Sequence, residues 1–210
     1  MTLDELAIIG KTDKSSKHLN YTRYYEEEFE ARREDTLHVL ELGTAKGASL
    51  YMWKEYFKNS LIVGVDVVND ISEEFKGLFD SKCKLEIGDQ TDPIFLTNLV
   101  KSCGGFDIII DDASHLASKT IKSFEILFPL LNSKGIYVIE DLGVFYPHSE
   151  KGSYFKDLGE GATTVDFLKN LVDIKSDEWF LEYNSKPTSE LYSQIKKLTF
   201  YSCMCFIHKN

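Results

Sequence analysis

The most constraining stretch of the 210-residue chain is a short apolar run that ends abruptly in acidic residues. It reads FDIIIDDASH and extends from Phe106 to His115. An unbroken β-branched run is typical of a parallel strand that is buried on both faces of a sheet. Polar side chains at the carboxyl end of such a strand lie at the mouth of an open α/β sheet, where ligands bind. The stretch therefore predicts a buried strand that delivers Asp111, Asp112 and His115 to a binding edge.

A second apolar run, Ile136 to Ile139, has the same design and is followed directly by Glu140 and Asp141. The two strands together would bring four carboxylates and one imidazole to one rim. Close carboxylates repel one another unless a proton or a cation sits among them. We therefore predict a divalent-metal site with a base beside it. For Asp112 or His115 taken alone, a helix cap is the competing interpretation.

Strand and helix patterns alternate along the chain, which predicts one α/β domain. We expect a doubly wound, Rossmann-like, seven-stranded sheet, mostly parallel with an antiparallel C-terminal strand, and helices on both faces. Residues from 1 to about 34 are interpreted as a helical lid on this single domain. The predicted strands are His38–Leu42, Leu61–Val65, Lys84–Ile87, Phe106–Asp112, Ile136–Asp141 and a C-terminal pair that turns near Ser202. The predicted helices include Tyr21–Arg33, a helix to about Phe57, Ser72–Phe79, one from Asp92-Pro93, Lys119–Leu131 and one from Thr164.

The first predicted strand runs into a turn that contains two glycines, Gly43 and Gly47, and then into a helix. Glycine lets the backbone approach a ligand, and a helix N-terminus offers free N–H groups, so this arrangement is typical of a nucleotide cradle. The spacing is G-x-x-x-G rather than G-x-G-x-x-G, which weakens a dinucleotide interpretation.

Polar residues also follow the second and third predicted strands. Asp66 ends the second strand, about twenty positions beyond the glycine turn, where an acid is suited to bind both ribose hydroxyls. A helix cap or a solvated acid is the alternative for Asp66. Asp89 and Gln90 follow the third strand, and they are either contacts to an adenine edge or turn formers.

Composition excludes several classes of protein. The net charge of −10 disfavours nonspecific binding to nucleic-acid backbones. No apolar run is long enough to cross a bilayer, and the N-terminus lacks the pattern of a secretory signal. The four cysteines form no CxxC pair, which favours free thiols in a reducing compartment. We therefore expect a cytoplasmic protein that binds neither nucleic acid nor a membrane.

In order along the chain, ELGTAKGAS, Asp66, IGDQTDP, FDIIIDDASH and GIYVIEDL resemble motifs of the class I S-adenosylmethionine-dependent methyltransferases. Within that class, the chain resembles the metal-dependent sugar O-methyltransferases of macrolide biosynthesis, of the mycinamicin and tylosin pathway type. The resemblance runs from about Thr12 to the C-terminus, and DDxSH followed by IED is its specific part. The TDK…H…YT…Y segment and the FYSCMCFIHK ending also fit. A chain of this length would lack the N-terminal auxiliary domain of those enzymes.

The resemblance implies that Asp112, Glu140 and Asp141 hold Mg²⁺ and that His115 is the general base. Oxygen ligands with open positions suit Mg²⁺, and two neighbouring hydroxyls of a sugar would fill those positions. His115 would take the proton as the acceptor oxygen attacks the sulfonium methyl group.

The resemblance also implies a site for S-adenosylmethionine. Gly43 and the nearby backbone would face its methionine part, Asp66 its ribose, and Asp89 with Gln90 its adenine. Asp111 would meet the methionine end or lie behind the metal. The resemblance further implies that an N-terminal segment containing Lys14, His18, Tyr21 and Thr22 folds over the donor. The full set of implied donor-binding residues is Glu41, Gly43, Thr44, Gly47, Asp66, Asp89, Gln90 and Asp111, together with Tyr21 and Thr22.

We therefore expect a Mg²⁺-assisted O-methyltransferase that acts on a hydroxyl of a small acceptor, such as a sugar or a glycosylated metabolite. The alternatives are a nicotinamide-dependent oxidoreductase on the same type of sheet, a cephalosporin-hydroxylase-like relative and a non-catalytic donor-binding protein. Phe145, Tyr146 and His148, in the long segment 142–163, are either acceptor-pocket residues or lid packing. The sequence leaves the acceptor and assembly as a homo-oligomer open.

Overall fold

The strands lie close to their predicted positions in the computed structural model, which describes residues 1–145, 163–183 and 190–210. Within these residues, seven strands form one mixed sheet in the order β3-β2-β1-β4-β5-β7-β6, with helices around it. The predicted fold class is therefore confirmed. The strands are β1 (His38–Leu42), β2 (Leu61–Asp66), β3 (Cys83–Ile87), β4 (Ile108–Asp111), β5 (Ile136–Ile139), β6 (Ile195–Tyr201) and β7 (Met204–Lys209). The helices are α1 (Leu3–Gly10), α2 (Thr22–Phe29), α3 (Ala48–Tyr56), α4 (Pro93–Cys103), α5 (Ala117–Leu127), α6 (Thr164–Tyr183) and α7 (Glu190–Ser193).

The contacts divide the chain into two compact units, Met1–Asp89 and Gln90–Asn210. In the first unit, β1 and β3 each pair with β2 in parallel. An aromatic cluster forms its core, where the Tyr25 ring meets Trp53 edge-on at 4.9 Å between centroids, and Phe29 and Phe57 pack beside them. All four side chains are fully buried, and each stabilises the fold by about 2 kcal/mol through removal of apolar surface from water. Tyr25 and Phe29 of the predicted N-terminal helix are thus core residues.

In the second unit, β4 and β5 pair in parallel with Asp111 opposite Ile139. This register places the residues that follow both strands at the same end of the pair. Strand β7 is antiparallel to β5 and to β6, which confirms the predicted C-terminal hairpin. Its turn contains Cys203, a non-glycine residue with a left-handed backbone at φ 63°.

Some helix boundaries differ from the predictions for identifiable reasons. The apolar N-terminal segment is a helix, α1, whose first turn is closed by a capping box between Thr2 and Glu5. The predicted helix at 72–79 is a 3₁₀ helix, Glu73–Leu78, and it contains Gly77, a poor α-helix former. Helix α5 ends at Leu127 rather than Leu131, because Pro129 has no backbone N–H with which to continue the helical hydrogen bonds.

The four cysteines are free, as the sequence predicted. Burial raises the pKa of the Cys83 thiol to about 12 and that of Cys205 far above its usual range. In the part of the chain that the structure describes, no helix combines the length and apolar character needed to cross a membrane.

Candidate functional site

Three side chains that follow β4 and β5 form a cluster with the composition of a metal site. Asp112, His115 and Asp141 each offer one ligand atom, and these three atoms lie within 4.8 Å of one another. Nε2 of His115 is 3.9 Å from Oδ1 of Asp112 and 3.7 Å from Oδ2 of Asp141. The three side chains are 22%, 28% and 23% exposed, so a small ligand can reach them from solvent. The sequence placed all three at one rim, and the structure brings them together.

The backbone of two cluster members is in the left-handed region, at φ 52° for His115 and φ 56° for Asp141. Such conformations are uncommon for residues other than glycine and persist where the surroundings impose them. On either side of His115, the N–H of Ser114 donates to Oε1 of Gln90 at 3.1 Å, and the N–H of Leu116 donates to Oγ of Ser114 at 3.3 Å. These bonds fix the backbone on both sides of the imidazole.

The tip of the C-terminal hairpin holds the backbone that follows Asp141. The N–H of Leu142 donates to the carbonyl oxygen of Cys203 at 2.9 Å. A Cβ atom at Gly143 would lie 2.8 Å from Sγ of Cys203, closer than real Cβ contacts, so glycine permits this close approach. The hairpin thereby determines where the chain leaves Asp141.

Glu140, the third metal ligand that the sequence implied, has a different environment. Its side chain is buried at 2% exposure, and its carboxylate is not part of the group formed by Asp112, His115 and Asp141. Its backbone N–H donates to the carbonyl oxygen of Asp111 at 3.1 Å. The cluster found among the described residues therefore consists of Asp112, His115 and Asp141, and the role of Glu140 as a ligand stays a prediction.

Asp111 lies behind the cluster with its carboxylate buried at 3% exposure. Oδ1 accepts from Nε2 of Gln90 at 3.3 Å, while Oδ2 accepts from the Tyr137 hydroxyl at 3.0 Å and from the Ser123 hydroxyl. Burial raises the pKa of the Asp111 carboxyl to about 6, although the bonds from Ser123 and Tyr137 oppose the rise. Burial also raises the pKa of Tyr137 well above its usual value. Sequence reasoning missed Ser123 and Tyr137, but a tyrosine within the apolar run IYVI is a detectable signal, because a buried hydroxyl needs a partner.

The donor set of the cluster fits a divalent cation. Two carboxylates held close together repel unless a positive charge lies among them, and carboxylates combined with open positions suit Mg²⁺. The imidazole lies beyond hydrogen-bonding distance of the nearest carboxylate oxygens of Asp112 and Asp141. An imidazole nitrogen can act either as a metal ligand or as a base.

In the first unit, Asp66 organises the glycine turn that follows β1. Its Oδ2 accepts from the backbone N–H of Thr44 at 2.9 Å and from that of Ala45 at 3.1 Å. Gly43 and Gly47 have φ of 83° and 93°, a region that favours glycine. Asp66 thus holds the turn that precedes α3 without capping that helix, and its Oδ1 accepts a long bond, 3.4 Å, from the N–H of Val68.

Glu41, assigned to the donor by resemblance, is completely buried in β1. Its carboxylate accepts from the Ser49 hydroxyl at 2.7 Å and from Nε1 of Trp53 at 3.1 Å, and it lies 4.0 Å from Nζ of Lys14. Lys14 is only 1% exposed, so the ion pair is buried. Glu41 is the single charged residue in HVLEL, and this position within an apolar strand indicates that it needs a partner, because burying an unpaired charge is unfavourable.

The other predicted donor residues differ in exposure. Tyr21, Thr22 and Thr44 are buried, whereas Asp89 is exposed. The N–H groups of Tyr21 and Thr22 both donate to the carbonyl oxygen of Lys14, and the Thr22 hydroxyl donates to Oδ1 of Asp4 at 2.8 Å. These bonds tie the start of α2 to the preceding segment.

The predicted acceptor residues Tyr146 and His148 lie outside the described residues, as does the side chain of Phe145.

Comparison with known proteins identifies relatives of one type, although no family model matches the chain. The chain is 33% identical over 211 aligned positions to 8-demethyl-8-alpha-L-rhamnosyl tetracenomycin-C 2'-O-methyltransferase of Streptomyces olivaceus, with 97% of the chain and 53% of that protein covered. It is 32% identical to demethylmacrocin O-methyltransferase of Streptomyces fradiae, with 99% and 53% covered. Among solved structures, MycE methyltransferase from the mycinamycin biosynthetic pathway, in complex with Mg, SAH and mycinamycin VI, is 28% identical with a TM-score of 0.80, and the match covers 100% of the chain and 54% of MycE. The chain thus spans about half the length of these relatives.

Proposed function

The chain belongs to the class I S-adenosylmethionine-dependent methyltransferases, of the type found among macrolide sugar O-methyltransferases, and on that premise we propose that it methylates a hydroxyl of a glycosylated small molecule. The observation that carries this proposal is the convergence of Asp112, His115 and Asp141 in one accessible cluster. Relatives that are O-methyltransferases favour it over the oxidoreductase and hydroxylase alternatives.

Asp112 and Asp141 would hold Mg²⁺, and Glu140 remains a predicted third ligand. When bound, Mg²⁺ would orient the acceptor and lower the pKa of its hydroxyl.

His115 is the proposed general base. As the acceptor oxygen attacks the methyl carbon of S-adenosylmethionine in line, the oxygen–carbon bond forms and the sulfur–carbon bond breaks. The hydroxyl proton passes to Nε2 of His115, and S-adenosylhomocysteine leaves with the former bonding pair on sulfur. The left-handed backbone of His115 would hold the imidazole beside the carboxylates. Fixed alignment of the reacting groups accounts for much of the rate gain in group transfer.

The glycine turn of the first unit is the proposed donor site. Gly43, Thr44 and Gly47 would bring backbone close to the methionine part, and the exposed Asp89 would face adenine. Asp66 would use Oδ2 to hold the turn and Oδ1 to accept from a ribose hydroxyl. The complete burial of Glu41 supports a role in holding β1 and Lys14 rather than direct contact with the donor.

The proposal is tested by methyl transfer from labelled S-adenosylmethionine to a panel of rhamnosides and macrolide glycosides, with Mg²⁺ and with chelator. We expect label in the sugar, dependent on Mg²⁺ and lost in Asp112→Asn. Calorimetry with S-adenosylhomocysteine tests the donor separately. A protein that releases no heat with it would not be a methyltransferase, and one that transfers label equally well in chelator would act without a metal.

A further inference from the structure

Gln90 is a buried residue whose side chain is hydrogen-bonded to the loop that carries Asp112 and His115. Its side chain is 6% exposed, and its amide uses both donor and acceptor groups. Nε2 lies 3.3 Å from Oδ1 of Asp111 and 3.4 Å from Oγ of Ser123, and Oε1 accepts from the N–H of Ser114 at 3.1 Å. We propose that Gln90 is a positioning residue that sets the geometry of the metal cluster and its base, and that it does not read adenine.

The geometric reason is that Gln90 holds both ends of one short loop. Asp111 and Ser114 flank Asp112, and Ser114 directly precedes His115. A single side-chain amide that bonds to both ends fixes the distance between them. The cluster residues Asp112 and His115 are carried by that loop, so the amide acts on them through the backbone.

The strain at His115 explains why such a bond is needed. Its φ of 52° lies in the left-handed region, which costs on the order of 1 kcal/mol for a residue with a side chain. The bond from Ser114 to Gln90 and the bond from Leu116 to Ser114 restrain the backbone on both sides. Without the first bond, His115 is free to relax, and Nε2 moves relative to the carboxylates.

Ser123 and Tyr137 also hold the carboxylate of Asp111. Both hydroxyls bond to Oδ2 of Asp111, and the Tyr137 hydroxyl also lies 3.3 Å from Oγ of Ser123. Asp111 is thus held on one oxygen by these hydroxyls and on the other by Gln90. Partners that orient metal ligands from behind typically change metal affinity by about 10- to 100-fold when they are removed.

The inference rests on the proposed function, since it concerns the same metal cluster, and its test separates the two. Gln90→Met keeps the length and volume of the side chain but removes every hydrogen bond. Gln194→Met is the matched control, because Gln194 follows α7 and its amide donates to the carbonyl oxygen of Glu190, the first residue of that helix. For each protein, Mn²⁺ affinity is measured by electron paramagnetic resonance, S-adenosylhomocysteine affinity by calorimetry, and folding by circular dichroism.

We expect Gln90→Met to weaken Mn²⁺ binding by about tenfold or more and to leave S-adenosylhomocysteine affinity within about twofold. Gln194→Met should change neither. Weaker S-adenosylhomocysteine binding with unchanged Mn²⁺ affinity would assign Gln90 to adenine and overturn the inference, as would two unchanged affinities. If Gln90→Met does not fold, Gln90→Glu is compared by the same two affinities, because it keeps the acceptor for Ser114 and loses the amide donor to Asp111. An unaltered protein that binds no Mn²⁺ would overturn the metal step of the proposed function and the positioning role with it.

Discussion

Nε2 of His115 lies 3.7 Å from Oδ2 of Asp141, although helix α5 and strand β5 separate the two residues in the chain. Both residues have left-handed backbones. The neighbour of His115, Ser114, donates to Gln90, and the neighbour of Asp141, Leu142, donates to Cys203. The close approach of base and acid is therefore imposed by the fold, at a cost in backbone conformation.

His115→Ala should lower turnover by about 10²- to 10⁴-fold, because general-base catalysis contributes that range. Affinity for S-adenosylhomocysteine should stay unchanged, since the proposed donor site is formed by other residues. Initial rates with saturating Mg²⁺, combined with calorimetry, measure both quantities. Lost donor binding in this variant would show that the imidazole supports the structure and is not the base.

Asp141→Asn should reduce Mn²⁺ affinity by at least about tenfold, because it removes a negative charge from the proposed ligand set. Asparagine tolerates the left-handed backbone at φ 56°, so the fold should be retained. Asp173→Asn, on the exposed side of α6, is the control for loss of one surface charge. Equal Mn²⁺ affinity in the two variants would remove Asp141 from the metal site.

Gly143→Ala should destabilise the protein by about 1–3 kcal/mol through overpacking against Sγ of Cys203. Adding Cys203→Ala removes the sulfur atom and should recover part of that loss. Urea denaturation of the two single variants and the double variant measures the coupling free energy. Additive effects would mean that the hairpin tip does not hold the chain after Asp141.

Lys14→Met should lower the free energy of unfolding by about 3 kcal/mol, because it leaves the Glu41 carboxylate buried without its ammonium partner. The double variant Lys14→Met with Glu41→Gln should be more stable than the single one, since both charges are then gone. Urea denaturation compares them with the unaltered protein. A single variant as stable as the unaltered protein would show that the ion pair is unimportant for stability.

Asp4 should make stability depend on pH in the acid range. Burial raises its pKa, but hydrogen bonds from Ser16 and Thr22 and the charge of Lys17 outweigh burial, so the folded pKa is lowered. A lowered pKa stabilises the folded state above the unfolded value near 4, and that contribution is lost as pH falls through the folded pKa. Asp4→Asn should therefore be less stable by about 2 kcal/mol at pH 7, with a difference that shrinks at low pH. Urea denaturation over a pH series measures this, and a difference that stays constant with pH would contradict it.

Local patterns in the chain were sufficient to predict the sheet and the edge of the sheet that carries the cluster. Apolar runs are local patterns that favour buried strands, so β1, β2 and β5 begin at the predicted residues, whereas β4 begins at Ile108, two residues after the predicted start. The helix start at Asp92-Pro93 was also predictable, because an N-cap involves only the next three residues. The Asp92 carboxylate accepts from the N–H groups of Ile94 and Phe95.

The side chains that meet in the cluster could not be predicted from local patterns. The imidazole of His115 joined Asp112 and Asp141 while the carboxylate of Glu140 did not, because successive residues after a strand point in different directions and a left-handed backbone redirects the next one. In the same way, Gln90 is buried beside Asp111 while its neighbour Asp89 is exposed, although both occupy one polar turn in the sequence. Contacts of this kind depend on strand register and turn conformation, which arise from the packing of distant segments and leave no periodic pattern in the chain.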